Sequence, residues 1–305
     1  MQRSLKDYLI ISLKGMAMGG ADAVPGVSGG TIAFISGIYE ELISTISNVK
    51  PELFKTLFKN GLTQFWKDLN GNFIVALLGG IVISFVSFMK LAKYLLEHHP
   101  ILIWSFFFGL IIASIYFVGK QITKWNFGTI TALIFGAVIA YYISTLPSMQ
   151  NSDNDYFLFI AGAIAICAMI LPGISGSFIL IILGAYKTLS DAIHDVDIKK
   201  ILIFTTGAAF GLLSFSHILK WLFKNYHNIT LALLTGFIFG SLNKVWPWKN
   251  TLSWHTNSKG IKTPLIQESI SPFNFNGENH IMLSVTLMVL GFLTIFILEK
   301  VGSKK

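Results

Sequence analysis

Two stretches of the chain set a serine between glycines directly after Pro-Gly: Pro25-Gly26-Val27-Ser28-Gly29 and Pro172-Gly173-Ile174-Ser175-Gly176. Proline removes a backbone donor and biases the preceding residue away from helix, while the glycines favour an irregular turn. Pro25, Gly26, Pro172 and Gly173 therefore shape two breaks, each expected to open a fresh helix, at Thr31 in the first copy and at Phe178 in the second. The start of such a helix offers unpaired N–H groups and the positive end of a dipole, which together make an anion site. Gly29, Gly30, Gly176 and Ser177 let an anion approach the backbone, and the hydroxyls of Ser28, Thr31, Ser175 and Ser177 add donors. The plainer alternative is that both breaks only kink helices for packing.

Asp22 precedes Pro25 by three residues. An ionised carboxylate near a bilayer centre costs about 2.5 to 3.5 kcal/mol, so such a residue is a functional candidate by default. Two roles stand open: carrying a proton or responding to another coupling ion, or accepting a hydrogen bond that fastens the loop. Glu40 and Glu41, after Tyr39, are further coupling candidates, with a solvated interfacial face as their plainer reading. Lys14, Tyr39, Tyr186 and Lys187 are candidates to add charge or donors to an anion.

Gly26-Val27-Ser28-Gly29 and Gly173-Ile174-Ser175-Gly176 also spell the GxSG of rhomboid-type intramembrane serine proteases. An acylating serine needs a base within hydrogen-bond reach, and only His217 lies within an apolar crossing. An esterase elbow needs a strand before its serine, where this chain has a membrane helix. Intramembrane proteolysis is thus a weaker reading than transport. No HExxH is present and His98-His99 stands alone, so neither a metal nor a cofactor is expected.

The elements that must position these residues are membrane helices. Residues are 53% hydrophobic and 12% charged, against roughly one quarter charged in soluble domains. Apolar runs long enough to cross a bilayer cover Phe73 to Met89, Ile101 to Gly119, Phe127 to Leu146, Ile201 to Leu219, Ile229 to Val245 and Ile281 to Leu298. Arg3 and Lys6 ahead of a short apolar stretch resemble a signal peptide, but Lys14 interrupts that stretch and the segment recurs inside the chain. The net charge of +8 comes almost wholly from Lys and lies outside the apolar runs, save for Lys244, which interrupts the run from Ile229 to Val245 near its end. It reads as membrane topology and attraction to lipid, not nucleic-acid binding, since no aromatic-interleaved basic platform occurs. The single Cys167 reads as a small packed residue.

Residues 25 to 39 and 172 to 186 match at one offset of 147 residues: Pro25 with Pro172, Gly26 with Gly173, Ser28 with Ser175, Gly29 with Gly176, Gly37 with Gly184 and Tyr39 with Tyr186. The chain therefore divides into two repeats, 1–150 and 151–305. The uncharged run from Tyr156 to Tyr186 is too long for one crossing and too short for two, which suits half-helices meeting at a break. If each motif segment enters and leaves on one face, a repeat holds a re-entrant hairpin and three crossings, and the odd number inverts the second copy. With the N-terminus inside, a modest majority of the 23 Lys/Arg falls on the cytoplasmic side. Asp22 aligns with Met169, so the paired site is not symmetric. Residues 246 to 280 are expected as an outer loop, with Trp246, Trp248 and Trp254 at the interface.

Residues 19 to 43, GGADAVPGVSGGTIAFISGIYEELI, and 171 to 186, LPGISGSFILIILGAY, resemble the paired signatures of the PopT-like family of bacterial membrane proteins. That resemblance implies translocation of a polyprenyl phosphate, the undecaprenyl carrier lipid, from the outer to the cytoplasmic leaflet of the inner membrane. The family's motif carries over onto Asp22, Pro25, Gly26, Ser28, Gly29, Gly30 and Thr31, and onto Pro172, Gly173, Ser175 and Gly176. Where the first copy has Gly30-Thr31 the second has Ser177-Phe178, so the hydroxyl is displaced by one position. The expectation is an all-α integral membrane protein of two inverted-topology repeats, a transporter alternating access around a central phosphate site, with membrane lipids around it and homo-oligomers allowed. A transporter or channel for a small soluble anion is the alternative.

Overall fold

The computed structural model describes residues 3–22, 28–146, 154–256 and 262–302. Pro25 and Gly26 lie outside the described residues. Helix α1 (Leu5–Asp22) precedes the first motif and is followed by α2 (Gly29–Ile35) and α3 (Tyr39–Ser47). Ser28 holds an extended backbone and caps α2, its Oγ accepting the Gly30 N–H at 3.1 Å. The helix therefore begins two residues earlier than Thr31. In the second half, α8 (Asp155–Ile170), α9 (Gly176–Ile182) and α10 (Ala185–His194) repeat the pattern, and α9 likewise begins two residues before Phe178. The bounds of α2 and α9 keep the 147-residue offset, and their matched end glycines, Gly37 and Gly184, both take left-handed backbone with φ of 72° and 69°.

Between the motif segments lie α4 (Pro51–Asp68), α5 (Gly71–His98), α6 (Pro100–Gly119) and α7 (Phe127–Thr145). Pro100 occupies the first turn of α6, where its missing donor costs nothing, and an Asn126–Thr129 capping box starts α7. Helix α4 is broken at Gly61 (φ 81°, ψ 174°) and leaves Phe54 and Phe58 exposed before the break and Leu62 and Trp66 after it. After α10 the chain forms α11 (Ile198–Gly240), 43 residues long and broken at Tyr226 (φ −136°, ψ 47°). The two expected crossings, Ile201 to Leu219 and Ile229 to Val245, thus lie on either side of the break at Tyr226, whose backbone matches that of His99 (φ −135°, ψ 50°) between α5 and α6. A short α12 (Leu242–Val245) precedes the hairpin of β1 (Lys249–Thr256) and β2 (Lys262–Ser269), and α13 (Ile281–Gly302) completes the chain.

That hairpin corrects the all-α expectation: the fold is mostly helical, and the segment expected as a plain outer loop carries an antiparallel ladder from Lys249↔Ser269 to Thr256↔Lys262. Thr251, Trp254, Thr256 and Thr263 favour strand over helix. The hairpin is fastened by Trp246 Nε1 donating to Ile270 O and Trp248 Nε1 donating to Asn279 O, each at 2.8 Å.

The long helices meet along glycine seams. Gly15 and Gly19 of α1 lie on the backbone of Leu77 and Ile81 of α5, so the two helices run parallel. Gly162 of α8 lies on Phe204 of α11, and Gly211 of α11 lies on Ala163, again in parallel. Gly109 and Gly291 join α6 to α13, while Gly136 and Gly236 join α7 to the far half of α11. Interfaces of small residues are what membrane helices use, since lipid supplies no hydrophobic drive for association. Among the described residues, four helical stretches are long and apolar enough to span a bilayer: Gly71–Phe88, Pro100–Gly119, Phe127–Thr145 and the two-part Ile198–Val245. The chain is a multi-pass membrane protein.

Candidate functional site

The two motif tips meet. Ser28 Oγ donates to Met169 O at 3.3 Å, and Thr31 Oγ1 accepts the Gly173 N–H at 2.9 Å. A Cβ on Gly30 would stand 2.6 Å from Ile170 O, so only glycine permits this approach of α2 to the end of α8. Gly173 itself has φ +87°, and a Cβ there would stand 2.7 Å from Phe237 O. Pro172 is buried beside it.

Between the tips lies a cavity of about 260 Å³ lined from the first copy by Asp22 and Ser28 and from the second by Ser175, Gly176 and Ser177. Gly162, Ala165, Ile166 and Met169 of α8 with Phe204 and Ala208 of α11 give it an apolar wall. Its volume is below that of typical drug-sized sites, which suits a headgroup and not a whole lipid.

The two copies use their donors differently. In the first, the Gly29 N–H donates to Asp22 Oδ1 at 2.7 Å, the Gly30 N–H to Ser28 Oγ, and the Thr31 N–H to Ser28 O at 3.0 Å. These donors are spent, and Thr31 is buried with its hydroxyl on Gly173. In the second, Ser175 makes no side-chain cap, and its Oγ is shared with Ser177 Oγ at 2.9 Å. The hydroxyls of Ser175 and Ser177 thus face the cavity with bonding capacity left, and Gly176 beside them carries no side chain.

A model of the family described as undecaprenyl phosphate translocase-like matches residues 18–263. The chain belongs to that family. Among relatives of the undecaprenyl phosphate translocase-like family, it is 46% identical over 302 residues to the polyprenyl-phosphate transporter of Vibrio cholerae serotype O1, covering 98% of each chain. It is 35% identical over 254 residues to the polyprenyl-phosphate transporter of Staphylococcus aureus, covering 77% of this chain and 85% of that one. No solved structure matches. Both relatives are named as transporters, not enzymes. Among the described residues, neither motif serine has a histidine partner, and His217 Nδ1 instead meets Leu213 O of its own helix at 2.6 Å.

Other candidates of this family member lie elsewhere. Glu41 is held by both guanidinium nitrogens of Arg3 at 2.6 Å, and Glu40 meets His227 Nε2 at 3.1 Å. Lys14 Nζ donates to Ser36 O at 2.6 Å, bracing α1 against α2. Tyr39 is buried edge-on to Phe34 and Phe223. Tyr186 is exposed, and the side chain of Lys187 is outside what is described. Of the carboxylates proposed for coupling, Asp22 alone lines the cavity. Sequence reasoning missed Lys244, whose Nζ lies 3.9 Å from the ring centroid of Phe178, directly after Ser177. Its signal was visible as the one cation interrupting the apolar run from Ile229 to Val245.

Proposed function

We propose that this chain carries polyprenyl phosphate, the undecaprenyl carrier lipid, across the bacterial cytoplasmic membrane, returning it from the outer to the inner leaflet. The observation that carries the reading is the cavity lined by both motif copies, in which the serines of the second have bonding capacity left for a phosphate. The printed activity of the two relatives supports the same substrate. Ser175, Gly176 and Ser177 bind the phosphate directly. Ser28, Gly29, Gly30 and Thr31 act from the opposite wall, chiefly by holding the tips in register, and the isoprenoid tail stays in lipid.

The reading includes two inverted-topology repeats, 1–150 and 151–305, each with a re-entrant hairpin and three crossings. Its support is geometric. Because α1 and α5 run parallel, the chain between them must return to the side on which α1 began. The bonds Asp22–Gly29, Lys14–Ser36 and Arg3–Glu41 form successive rungs of that return. The parallel pair of α8 and α11 repeats the arrangement. Both motif tips come from a single chain, so the site needs no second copy. Access alternates by rocking of one repeat against the other around the shared cavity. Asp22 and a phosphate are like charges in one small space, so Asp22 carries a proton while the phosphate is bound, and its release couples transport to pH.

The test is transbilayer movement of a labelled polyprenyl phosphate in liposomes holding the purified protein, compared with the Ser28→Ala/Ser175→Ala double variant. Movement by the wild type that the folded double variant loses supports the carrier and its site. A correctly inserted wild type that leaves the lipid in place while passing a small anion overturns it in favour of a soluble-anion transporter.

A further inference from the structure

Among the described residues lining the cavity between the motif tips, one side chain is charged, the acidic Asp22. A phosphate brought there meets hydroxyls and N–H groups but no cation, although charge-assisted bonds are what usually hold such groups tightly. Positive charge meets α9 one residue beyond Ser177, at Phe178, which does not itself line the cavity. Lys244 at the end of α12 reaches back to the face of Phe178 in the first turn of α9. Lys249, at the start of β1, donates to the carbonyl of Lys244 and places its ammonium 4.3 Å from the ring centroid of Trp104 on α6.

Both lysines are partly buried, and among the described residues neither forms an ion pair. Elsewhere the cations Arg3 and Lys199 have carboxylates at 2.6 Å. Two neighbouring ammonium groups held out of water without a counter-charge repel each other and lose hydration, and aromatic faces compensate only in part. Lys249 bears the mark of this: burial, and then the charge of Lys244, push it down to about 7. An arrangement of this kind is completed by an anion.

We infer that Lys244 and Lys249, between Phe178, Trp104 and the base of the β-hairpin, form a second phosphate subsite beside the motif cavity, accepting a phosphomonoester before or after it occupies Ser175 and Ser177. The inference deepens the carrier reading and rests on it for the lipid, while the phosphate chemistry is shared with free phosphate. The hairpin gains a role as well, since β1 begins at Lys249 and Trp246 and Trp248 fasten its base.

Binding of farnesyl phosphate, farnesol and inorganic phosphate to the full-length protein in detergent, by calorimetry, tests this, using Lys244→Met/Lys249→Met, Lys244→Arg/Lys249→Arg and, as control, Lys199→Met. The expected result is farnesyl phosphate affinity at least tenfold weaker in the double Met variant, largely restored in the Arg variant and unchanged in the control. A folded double Met variant that binds farnesyl phosphate as tightly as wild type overturns the subsite while leaving the carrier reading intact. A wild type that binds inorganic phosphate through these lysines but gains nothing from the farnesyl chain keeps the subsite and sinks the lipid reading. Binding of neither phosphate sinks both. Acylation of wild-type lysines, read by peptide mass spectrometry, needs no variant: farnesyl phosphate is expected to protect Lys244 and Lys249 relative to Lys199, and equal labelling with and without it overturns the subsite.

Discussion

Thr31 Oγ1 accepts the Gly173 N–H at 2.9 Å, so a side chain of the first motif closes the turn of the second. The bond spans 142 residues of sequence and joins a half-buried Gly173 to Thr31, which is only 1% exposed. Removing it leaves a half-buried donor unpaired, at a cost of about 1 kcal/mol. Thr31→Val is therefore expected to lower the melting temperature in detergent by several degrees, and Thr31→Ser to retain most of the stability. Equal melting of Thr31→Val and wild type would show that the bond contributes nothing.

The two motif serines are expected to separate in their effects. Ser28 caps α2 and bridges to Met169, so Ser28→Ala should cost about 1 kcal/mol of stability as well as activity. Ser175 makes no cap, and Ser175→Ala should melt like wild type while losing transport at least tenfold. Paired thermal melts and liposome flux measurements check this; a strongly destabilised Ser175→Ala contradicts it.

Asp22→Asn keeps an oxygen to accept the Gly29 N–H but cannot exchange a proton. The expected outcome is a folded protein whose residual transport no longer responds to a pH gradient. Asp22→Ala should lose both the loop bond and transport. Undiminished pH-driven transport by Asp22→Asn would remove the carboxylate from the coupling mechanism.

Glycine at 173 is required twice, by its left-handed backbone and by the Phe237 carbonyl that a Cβ would strike. Gly173→Ala is expected to destabilise by at least about 1 kcal/mol, measured as a lower melting temperature. Gly37→Ala has the same backbone cost but open space around it, so its effect should be smaller. The ranking, not either value alone, is what the melts decide.

Lys249 gives a pH dependence with a definite sign. Its folded value is depressed to about 7 from an ordinary 10.5, so the unfolded chain binds more protons between those limits. Stability should therefore rise as pH increases from about 7 towards 10.5, and Lys249→Met should flatten that rise. Melting curves at stepped pH measure it, and a wild-type profile as flat as the variant's would refute the assignment.

Much of this was legible in the chain. The second Pro-Gly-x-Ser-Gly copy falls at a helix break, Ser28 of the first caps α2, and the 147-residue offset reappears in the bounds of α2 and α9 and in the left-handed Gly37 and Gly184. Apolar runs marked the spans because length and composition suffice for that. Contacts made across 100 residues or more were not legible: nothing local to Thr31 says that it serves Gly173, and nothing near Lys249 points to Trp104. Helix starts were misplaced by two residues because the Ser28 cap depends on backbone geometry. The β-hairpin escaped because its residues were judged by location between spans, not by strand preference.

Met169 occupies the position that the internal offset makes equivalent to Asp22. For a carrier built from two inverted copies, identical tips would render the inward-facing and outward-facing conformations degenerate. On the proposed inverted-repeat reading, a carboxylate on one tip and a thioether on the other remove that degeneracy and make the two conformations inequivalent. Protonating Asp22 makes the two tips alike in charge, so in the proposed carrier the divergence of the duplicate, and not the duplication itself, sets the conformational bias, while net direction follows the gradients of lipid and proton.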